Sequence, residues 1–518
     1  MQPSPLGLKG TWSMIKWIDK TLNRITMYRL VLYYLIFLLI IAFVMSIVGT
    51  LAYDPFALLV SVGFLLAVCV VVNRIFAATF NVPANVESVY ISALILALIL
   101  TPIKSLNDLW FFGWAAVWAM ASKYIIAIKG KHLFNPVIFA VTLTYFTINR
   151  SASWWIGSGW MLPFVLLGGL LVVRKIGRFD LVLSFLITAL TIILVTALFS
   201  NDFITTVQNA ILSSAILFFA CIILTEPLTT PPTRSARIYY GILVGFLYTP
   251  QFHLGSFYFT PELAILTGNI YSYIVSPKTK LILKLKEVSR IAPDTYDFVF
   301  AVPRKFKFKP GQFMEWTLGN GTADSRGNRR FFTIASAPTE HNLRLGVKFY
   351  QNSSTFKKTM LSMGNDSEIV ASQLAGDFVL PYSSWQKCVF IAGGIGITPF
   401  RSMLKYLLDI RQRRPITLFY ANKTIDDIVY KDILDRADHE LGIRTIYSIT
   451  DKRNAPPNWT GGVGRLTPDL IRSAVPDFRN CIFYVSGPRG MVDSFKDSLH
   501  RLNIHNSRIK IDYFAGLA

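Results

Sequence analysis

Residues 389–399 read VFIAGGIGITP, and this stretch decides the fold of the C-terminal half. A short apolar run of strand length (389–391) leads into Gly393, Gly394 and Gly396, then Thr398-Pro399 and a helical pattern over 400–408. Glycines let backbone approach a pyrophosphate that side chains would exclude, and the N-terminus of the next helix favours its negative charge. A glycine-rich loop alone is weak evidence; strand, loop and helix in that order are stronger. Further strand-like runs at 416–420, 444–448 and 481–485 alternate with helical patterns. That alternation predicts a parallel sheet and an α/β nucleotide-binding domain over 386–518.

Working outward, 281–385 is β-rich, with alternating runs at 281–286 and 295–302 followed by turn signals. It contains Pro310-Gly311-Gln312 and Arg330-Phe331-Phe332-Thr333. Alternate residues on a strand face one way, so Arg330 and Phe332 address the same side. Taken alone, Arg330 to Thr333 reads more readily as an ordinary hydrophobic strand with a surface arginine. Downstream lie SSTFKKTML (353–361), Ala375-Gly376-Asp377-Phe378, Ser486-Gly487-Pro488 and Asp512-Tyr513-Phe514-Ala515-Gly516.

As an ordered set these motifs resemble the ferredoxin–NADP reductase family over about 280–518. The resemblance implies an FAD-binding antiparallel β-barrel (281–385) ahead of the NAD(P)-binding domain, with NADH or NADPH as hydride donor. It implies that Arg330 holds the FAD pyrophosphate, Phe332 stacks on the isoalloxazine and Thr333 bonds its edge near N5. Ser354 and Thr355 correspond to a second phosphate-binding turn, and Gly393, Gly394, Gly396, Thr398 and Pro399 to the dinucleotide loop. Ser486, Gly487 and Pro488 stand where the family has Cys-Gly-Pro beside the nicotinamide; serine for cysteine is expected to tune hydride transfer without abolishing it. Asp512 and Phe514 correspond to the carboxylate and aromatic that flank the flavin, with Asp in place of Glu. Thr333, Ser486 and Phe514 are the expected catalytic residues. Lys423 reads as a 2′-phosphate contact or as a solvated lysine.

The first 276 residues differ in kind. The chain is 53% hydrophobic and 16% charged, and its apolar runs crowd this half. A spanning helix needs about 20 mostly apolar residues. Ten runs approach that length, near 30–50, 57–73, 88–103, 109–127, 134–149, 160–174, 179–199, 208–225, 238–250 and 261–276. They predict a ten-helix transmembrane domain (30–276) behind a basic cytoplasmic leader (1–29). Short runs among them allow tilted or broken helices. Alternate loops hold Arg74, Lys129 and Lys131, the Arg174-Lys175/Arg178 group, and Arg234 with Arg237, whereas the opposite loops carry Lys104 and Arg150 beside Asp54, Asp108 and Asp202. By the excess of cations on cytoplasmic loops, both termini are expected inside a bacterial-type inner membrane, with lipid as partner. The formal charge of +22 is thus a mark of topology; nucleic acid is not an expected partner.

Three stretches in this half, NVESVYIS (85–92), KHLFNP (131–136) and LTEPLTTPPT (224–233) followed by Tyr240-Gly241, resemble the NqrB/RnfD family of membrane proteins, which belong to the sodium-translocating NADH:quinone reductase and to the Rnf electron-transport complex. That family carries flavin in the membrane, with FMN on the threonine of a Ser-Gly-Ala-Thr motif. The motif is missing here; the corresponding segment 150–161 reads RSASWWIGSGWM. Any membrane FMN or riboflavin is therefore expected to be noncovalent. Trp154, Trp155 and Trp160 are stacking groups or interfacial residues. Asn135-Pro136 reads evenly as a broken-helix site or a plain helix start, and Glu226 as an interfacial anchor or a partner of Arg234 or Arg237.

Only His132 and His253 lie in this half, on opposite expected sides, which excludes two bis-histidine haems. Cys69, Cys221, Cys388 and Cys481 lack zinc, iron–sulfur or disulfide spacing, and no metal is expected. The whole reads as a membrane NAD(P)H dehydrogenase whose FAD passes electrons through the membrane domain to quinone or a membrane flavin. The alternatives are a transmembrane reductase feeding an extracytoplasmic flavin or metal acceptor, and a redox-sensing transporter.

Overall fold

The computed structural model describes residues 17–19, 21–22, 25–80, 86–128, 131–199, 202–213, 215–249, 253–255, 257–275, 280–302, 306–319, 328–351, 353–451, 455, 457 and 459–512. Its contacts divide the chain between Lys280 and Leu281 into two compact units.

The first unit is helical. Its principal helices are α1 (Met27–Ile47), α2 (Pro55–Thr79), α3 (Val86–Ile99), α4 (Leu106–Ile125), α5 (Pro136–Ile148), α6 (Leu162–Ile176), α7 (Phe179–Leu198), α8 (Arg234–Leu247) and α9 (Pro261–Val275). Their starts follow local chemistry: Asp54 accepts the Ala57 N–H at 2.7 Å ahead of Pro55, and Thr26 accepts the Arg29 N–H at 3.3 Å. Among the described residues between α7 and α8 lie short helical segments, including π-helical turns at Asn209–Ser213 and Phe219–Ile223.

The ten-helix transmembrane expectation is not reached. Helix is present at each expected position, but among the described residues only α1, α2 and α7 combine the length and apolarity to cross a membrane. At 1.5 Å per residue, helices of 13 to 15 residues such as α5, α6 and α9 extend only about 20–22 Å, short of a hydrocarbon core of about 30 Å.

The second unit holds two six-stranded sheets. The first contains β1 (Leu281–Ala292), β2 (Thr295–Ala301), β3 (Phe313–Thr317), β4 (Arg329–Thr333), β5 (Asn342–Lys348) and β6 (Glu368–Ala375), all antiparallel, in the order β4-β3-β6-β1-β2-β5. Leu281, Leu283 and Leu285 of β1 are buried while their neighbours are exposed, the period-two pattern of a half-buried strand. The strand pairing shows an antiparallel sheet; it does not show the expected β-barrel. Strands β4 and β5 are the two edges of this order; the segment after β4 meets β5 through the Ala335 N–H to the Arg344 carbonyl at 2.9 Å and the Arg344 N–H to Ser336 Oγ at 3.1 Å. A ladder does not form there because the 334–341 segment spends its polar groups on Gln312, Glu340 and the helix that follows the glycine loop.

The second sheet contains β7 (Cys388–Gly393), β8 (Ile416–Asn422), β9 (Arg444–Ile449), β10 (Gly462–Val463), β11 (Ile482–Ser486) and β12 (Ile509–Ile511), all parallel, in the order β10-β9-β8-β7-β11-β12. Every residue of β7 is buried, as a central parallel strand covered on both faces requires. Phe390 joins the core on one face and Val389 and Ile391 the core on the other. The chain order reverses between β7 and β11. In open α/β sheets that reversal opens a crevice at the carboxyl ends of the strands, where ligands bind.

Candidate functional site

The glycine loop follows β7 directly: Gly394–Ile397 forms a single tight turn and α10 (Thr398–Asp409) begins with Thr398 and Pro399 in its first turn. Gly394 has φ of +52°, which favours glycine. A Cβ on Gly396 would lie 2.5 Å from the Gly487 nitrogen and the Ser486 carbonyl oxygen, both backbone atoms. A Cβ on Gly393 would lie 2.5 Å from Met491 Sδ and 3.1 Å from Pro488. The loop after β7 and the Ser486-Gly487-Pro488 loop after β11 are therefore packed backbone against backbone at the crevice.

A second convergence joins the two sheets. Thr333, the last residue of β4, donates its hydroxyl to Asp512 Oδ2 at 3.1 Å, and Ser486 donates to the same oxygen at 3.2 Å. The Asp512 N–H is held by the Val485 carbonyl at 3.1 Å. Asp512 Oδ1 is buried without a hydrogen-bond partner among the described residues. Burial pushes this carboxyl up to about 7, against the lowering pull of the two hydroxyls. Phe514 lies outside the described residues.

Arg330 is almost fully buried and donates to the Arg329 carbonyl at 2.6 Å, with its guanidinium 5.3 Å from the centre of the Phe356 ring. Phe332 meets the same ring at 6.1 Å. Phe332 is thus turned into the core of the first sheet and does not stand on an open face. Phe356 is carried by the short helix Thr355–Leu361, whose start Ser354 caps by accepting the Lys357 N–H at 3.3 Å. The Arg330/Phe332 strand and the Ser354-Thr355 turn are so brought together. Lys423 is exposed, and its carbonyl accepts the Asp451 N–H at 2.9 Å.

Sequence reasoning missed the charged cluster that ties the sheets together. Arg401 of α10 donates to Glu340 at 3.0 Å and to the Ala335 carbonyl at 3.0 Å. Its guanidinium sits 5.5 Å from the centre of the Tyr430 ring. Tyr430 donates to buried Asp297 at 3.1 Å, and Arg344 pairs with the same carboxylate at 2.6 Å. Burial raises the Asp297 carboxyl, with Arg344 opposing. Tyr430 adopts φ of +56°, an uncommon conformation for a bulky residue that its surroundings hold in place. An arginine two places after Pro399, amid Phe400, Met403 and Leu404, was the available signal.

In the first unit, a cavity of about 80 Å³ is lined by Ser88, Ser92, Asn135, Thr225 and Glu226 among others. Its lining takes residues from each of the three family-like stretches. Asn135 caps α5, accepting from Val137 and Ile138 with Pro136 in the first turn, so this segment is a plain helix start. Its own N–H donates to Asn269, which donates to Tyr240. Glu226 accepts from Thr229 at 2.8 Å, while Arg237 pairs with Asp180 at 2.6 Å. Trp155 is buried and donates to the Ala97 carbonyl, Trp154 donates to Glu262, and Trp160 is exposed. Asn85 and the side chain of His132 lie outside the described residues.

Comparison with known proteins agrees with both halves of the sequence reading. Residues 155–280 match the NQR2, RnfD, RnfE family, and residues 390–497 match the oxidoreductase NAD-binding domain. An NADH-cytochrome b5 reductase 1 of Ajellomyces capsulatus is 29% identical over 46% of this chain and 81% of its own length. The reductase component of a propane 2-monooxygenase of Rhodococcus jostii is 26% identical over 45% of this chain and 63% of its own. Among solved structures, a cytochrome P450 reductase of Amycolatopsis aligns with a TM-score of 0.41 at 22% identity, over 46% of this chain and 70% of that one. The likenesses in sequence are those of an oxidoreductase, in line with the expectation of an FAD-dependent NAD(P)H enzyme.

Proposed function

We propose that this chain is a membrane-bound FAD-dependent NAD(P)H oxidoreductase whose electrons leave through its helical unit, to quinone or to a noncovalently held flavin. The carrying observation is the meeting of Thr333, Ser486 and Asp512, where the edge of the antiparallel sheet reaches the switch point of the parallel one.

The residues present fit the cofactor. Asp512 Oδ1 is a buried oxygen awaiting a partner, and the glycine loop leaves backbone free of side chains at the crevice. Arg330 and the Ser354-Thr355 turn would hold the FAD phosphates through charge-assisted bonds. Gly393, Gly394, Gly396 and the start of α10 at Thr398-Pro399 would hold the dinucleotide, with Gly487 and Pro488 against its nicotinamide. When bound, FAD supplies the acceptor for a two-electron hydride and can release electrons singly. Thr333 and Ser486 orient the Asp512 carboxyl; that carboxyl, titrating near neutrality, holds or yields a proton at Oδ1. Phe514 is assigned to cover this site by the family resemblance. The Arg401–Glu340 and Tyr430–Asp297 contacts keep the two sheets in fixed register.

For the membrane part, support comes from the family match over 155–280 and from the polar groups lining the cavity beside Glu226. Multi-pass insertion in a bacterial inner membrane, with both termini cytoplasmic, accords with the loop cations. The test is NAD(P)H oxidation by purified full-length protein in lipid, with and without quinone, together with flavin released by acid. Quinone-dependent turnover with all flavin released supports the reading. Turnover that ignores quinone and needs an extracytoplasmic acceptor replaces it, and flavin that stays with the denatured chain refutes the noncovalent claim.

A further inference from the structure

Tyr382 and Trp385 are the two most exposed large hydrophobic side chains among the described residues of the second unit, at 105% and 86% of full exposure. They sit on the connection between the two sheets, and that connection is held firmly. Arg414 donates to the Pro381 carbonyl at 2.8 Å and the Ser383 carbonyl at 3.4 Å. At one flank Lys510 and Tyr484 both donate to the Val379 carbonyl, at 3.1 and 2.8 Å. At the other, Gln386 donates to the Asn480 carbonyl at 2.9 Å. A connection bonded through its backbone at Val379, Pro381 and Ser383 and through the Gln386 side chain at the far flank presents two highly exposed rings, so their exposure is not the fraying of a slack loop.

The segments that hold this connection are basic. Arg413, Arg479 and Arg508 are exposed, and Arg414, Lys387 and Lys510 stand with them. The acidic groups are Asp477, which pairs with Lys387, and Asp377, whose charge acts on Lys510. Cations therefore exceed acids in the segments that hold this connection.

We propose that this aromatic–cationic patch seats on the headgroup region of an anionic bilayer. Tyr and Trp place an apolar ring and a polar tip at that depth, and Arg and Lys are drawn to anionic lipid within a Debye length. A bilayer is the occupant favoured over a protein because the same chain carries three helices apolar and long enough to span one. Tethering to the membrane makes the encounter intramolecular and raises its effective concentration. The inference is independent of the redox reading.

The test uses full-length protein in nanodiscs of phosphatidylglycerol or phosphatidylcholine. All four native cysteines are buried, so Ser383→Cys takes an environment-sensitive thiol dye selectively. In phosphatidylglycerol the dye emission should shift to shorter wavelength and be quenched by spin-labelled lipid. Tyr382→Ser with Trp385→Ser should abolish both effects, while Arg413→Glu with Arg479→Glu should remove the preference for the anionic lipid; flavin content and reduction of a soluble acceptor stay unchanged. A dye that remains water-like in phosphatidylglycerol overturns the proposal, as does quenching that survives loss of both rings. Shielding seen only in native membranes makes the occupant a protein and overturns it as well.

Discussion

Thr333 Oγ1 lies 3.1 Å from Asp512 Oδ2, closing a loop of 179 residues between the edge of one sheet and the end of the other. The carboxyl it touches titrates at about 7, above its ordinary 3.8, because burial disfavours the charged form. Between those two values the folded protein binds a proton that the unfolded chain does not. This group's contribution to stability is thus complete below pH 3.8 and is lost as pH rises towards 7. Asp512→Asn should flatten that part of the stability profile, read as the melting temperature of flavin release between pH 5 and 8. It should also erase an inflection near pH 7 in the rate of NAD(P)H oxidation. An unchanged inflection would assign the titration to another group.

Gly396→Ala tests the packing of the two crevice loops. The new methyl would meet the Gly487 nitrogen and Ser486 oxygen at 2.5 Å, and backbone cannot turn aside as a flexible side chain does. A cost of about 1–3 kcal/mol is expected, with NAD(P)H oxidation lost and FAD retained. Equal loss of FAD and activity would mean that the loop does not serve the dinucleotide.

Arg330→Ala should weaken FAD retention roughly 10- to 100-fold, the loss of bonds to a charged partner, measured by flavin content after gel filtration. Arg330→Lys keeps the charge without the planar fork and should fall between. Stoichiometric FAD in the alanine variant would remove Arg330 from the pyrophosphate role.

Glu340→Gln should destabilise the second unit by about 3–5 kcal/mol, since it leaves Arg401, a nearly buried cation, without its charged partner. Restoring the pair in reverse, Arg401→Glu with Glu340→Arg, should not recover it, because Arg401 also serves the Ala335 carbonyl and the Tyr430 ring. Denaturant unfolding followed by flavin fluorescence reads both.

Residues 280–518, expressed alone, should give a soluble FAD protein that reduces artificial acceptors but not quinone confined to lipid. Equal rates with lipid-bound quinone would deny the helical unit a part in electron exit.

Much of the second unit was legible because its signals are local. The buried run of β7, the three glycines and the Thr398-Pro399 helix start lie within one short window, and the structure places strand, turn and helix there. Period-two burial in β1 was equally readable. The helical positions of the first unit were also found, but their number as spans was not. Apolarity shows where a helix forms, whereas capping and chain breaks set how long it is, as at Asn135-Pro136 and the π turns near 209 and 219.

Sequence by itself determined the two-part character of this chain and the types of residue at each motif, because periodicity, glycine freedom and charge are properties of a window. Only tertiary structure decided that Thr333, Ser486 and Asp512 share one oxygen, that β4 and β5 remain edges, and that Arg401 and Tyr430 bind the sheets together. Strand order and its reversal between β7 and β11 bring distant residues within hydrogen-bond reach, and burial there moves a carboxyl to neutrality. Neither the meeting nor the dielectric around it belongs to any stretch of chain alone.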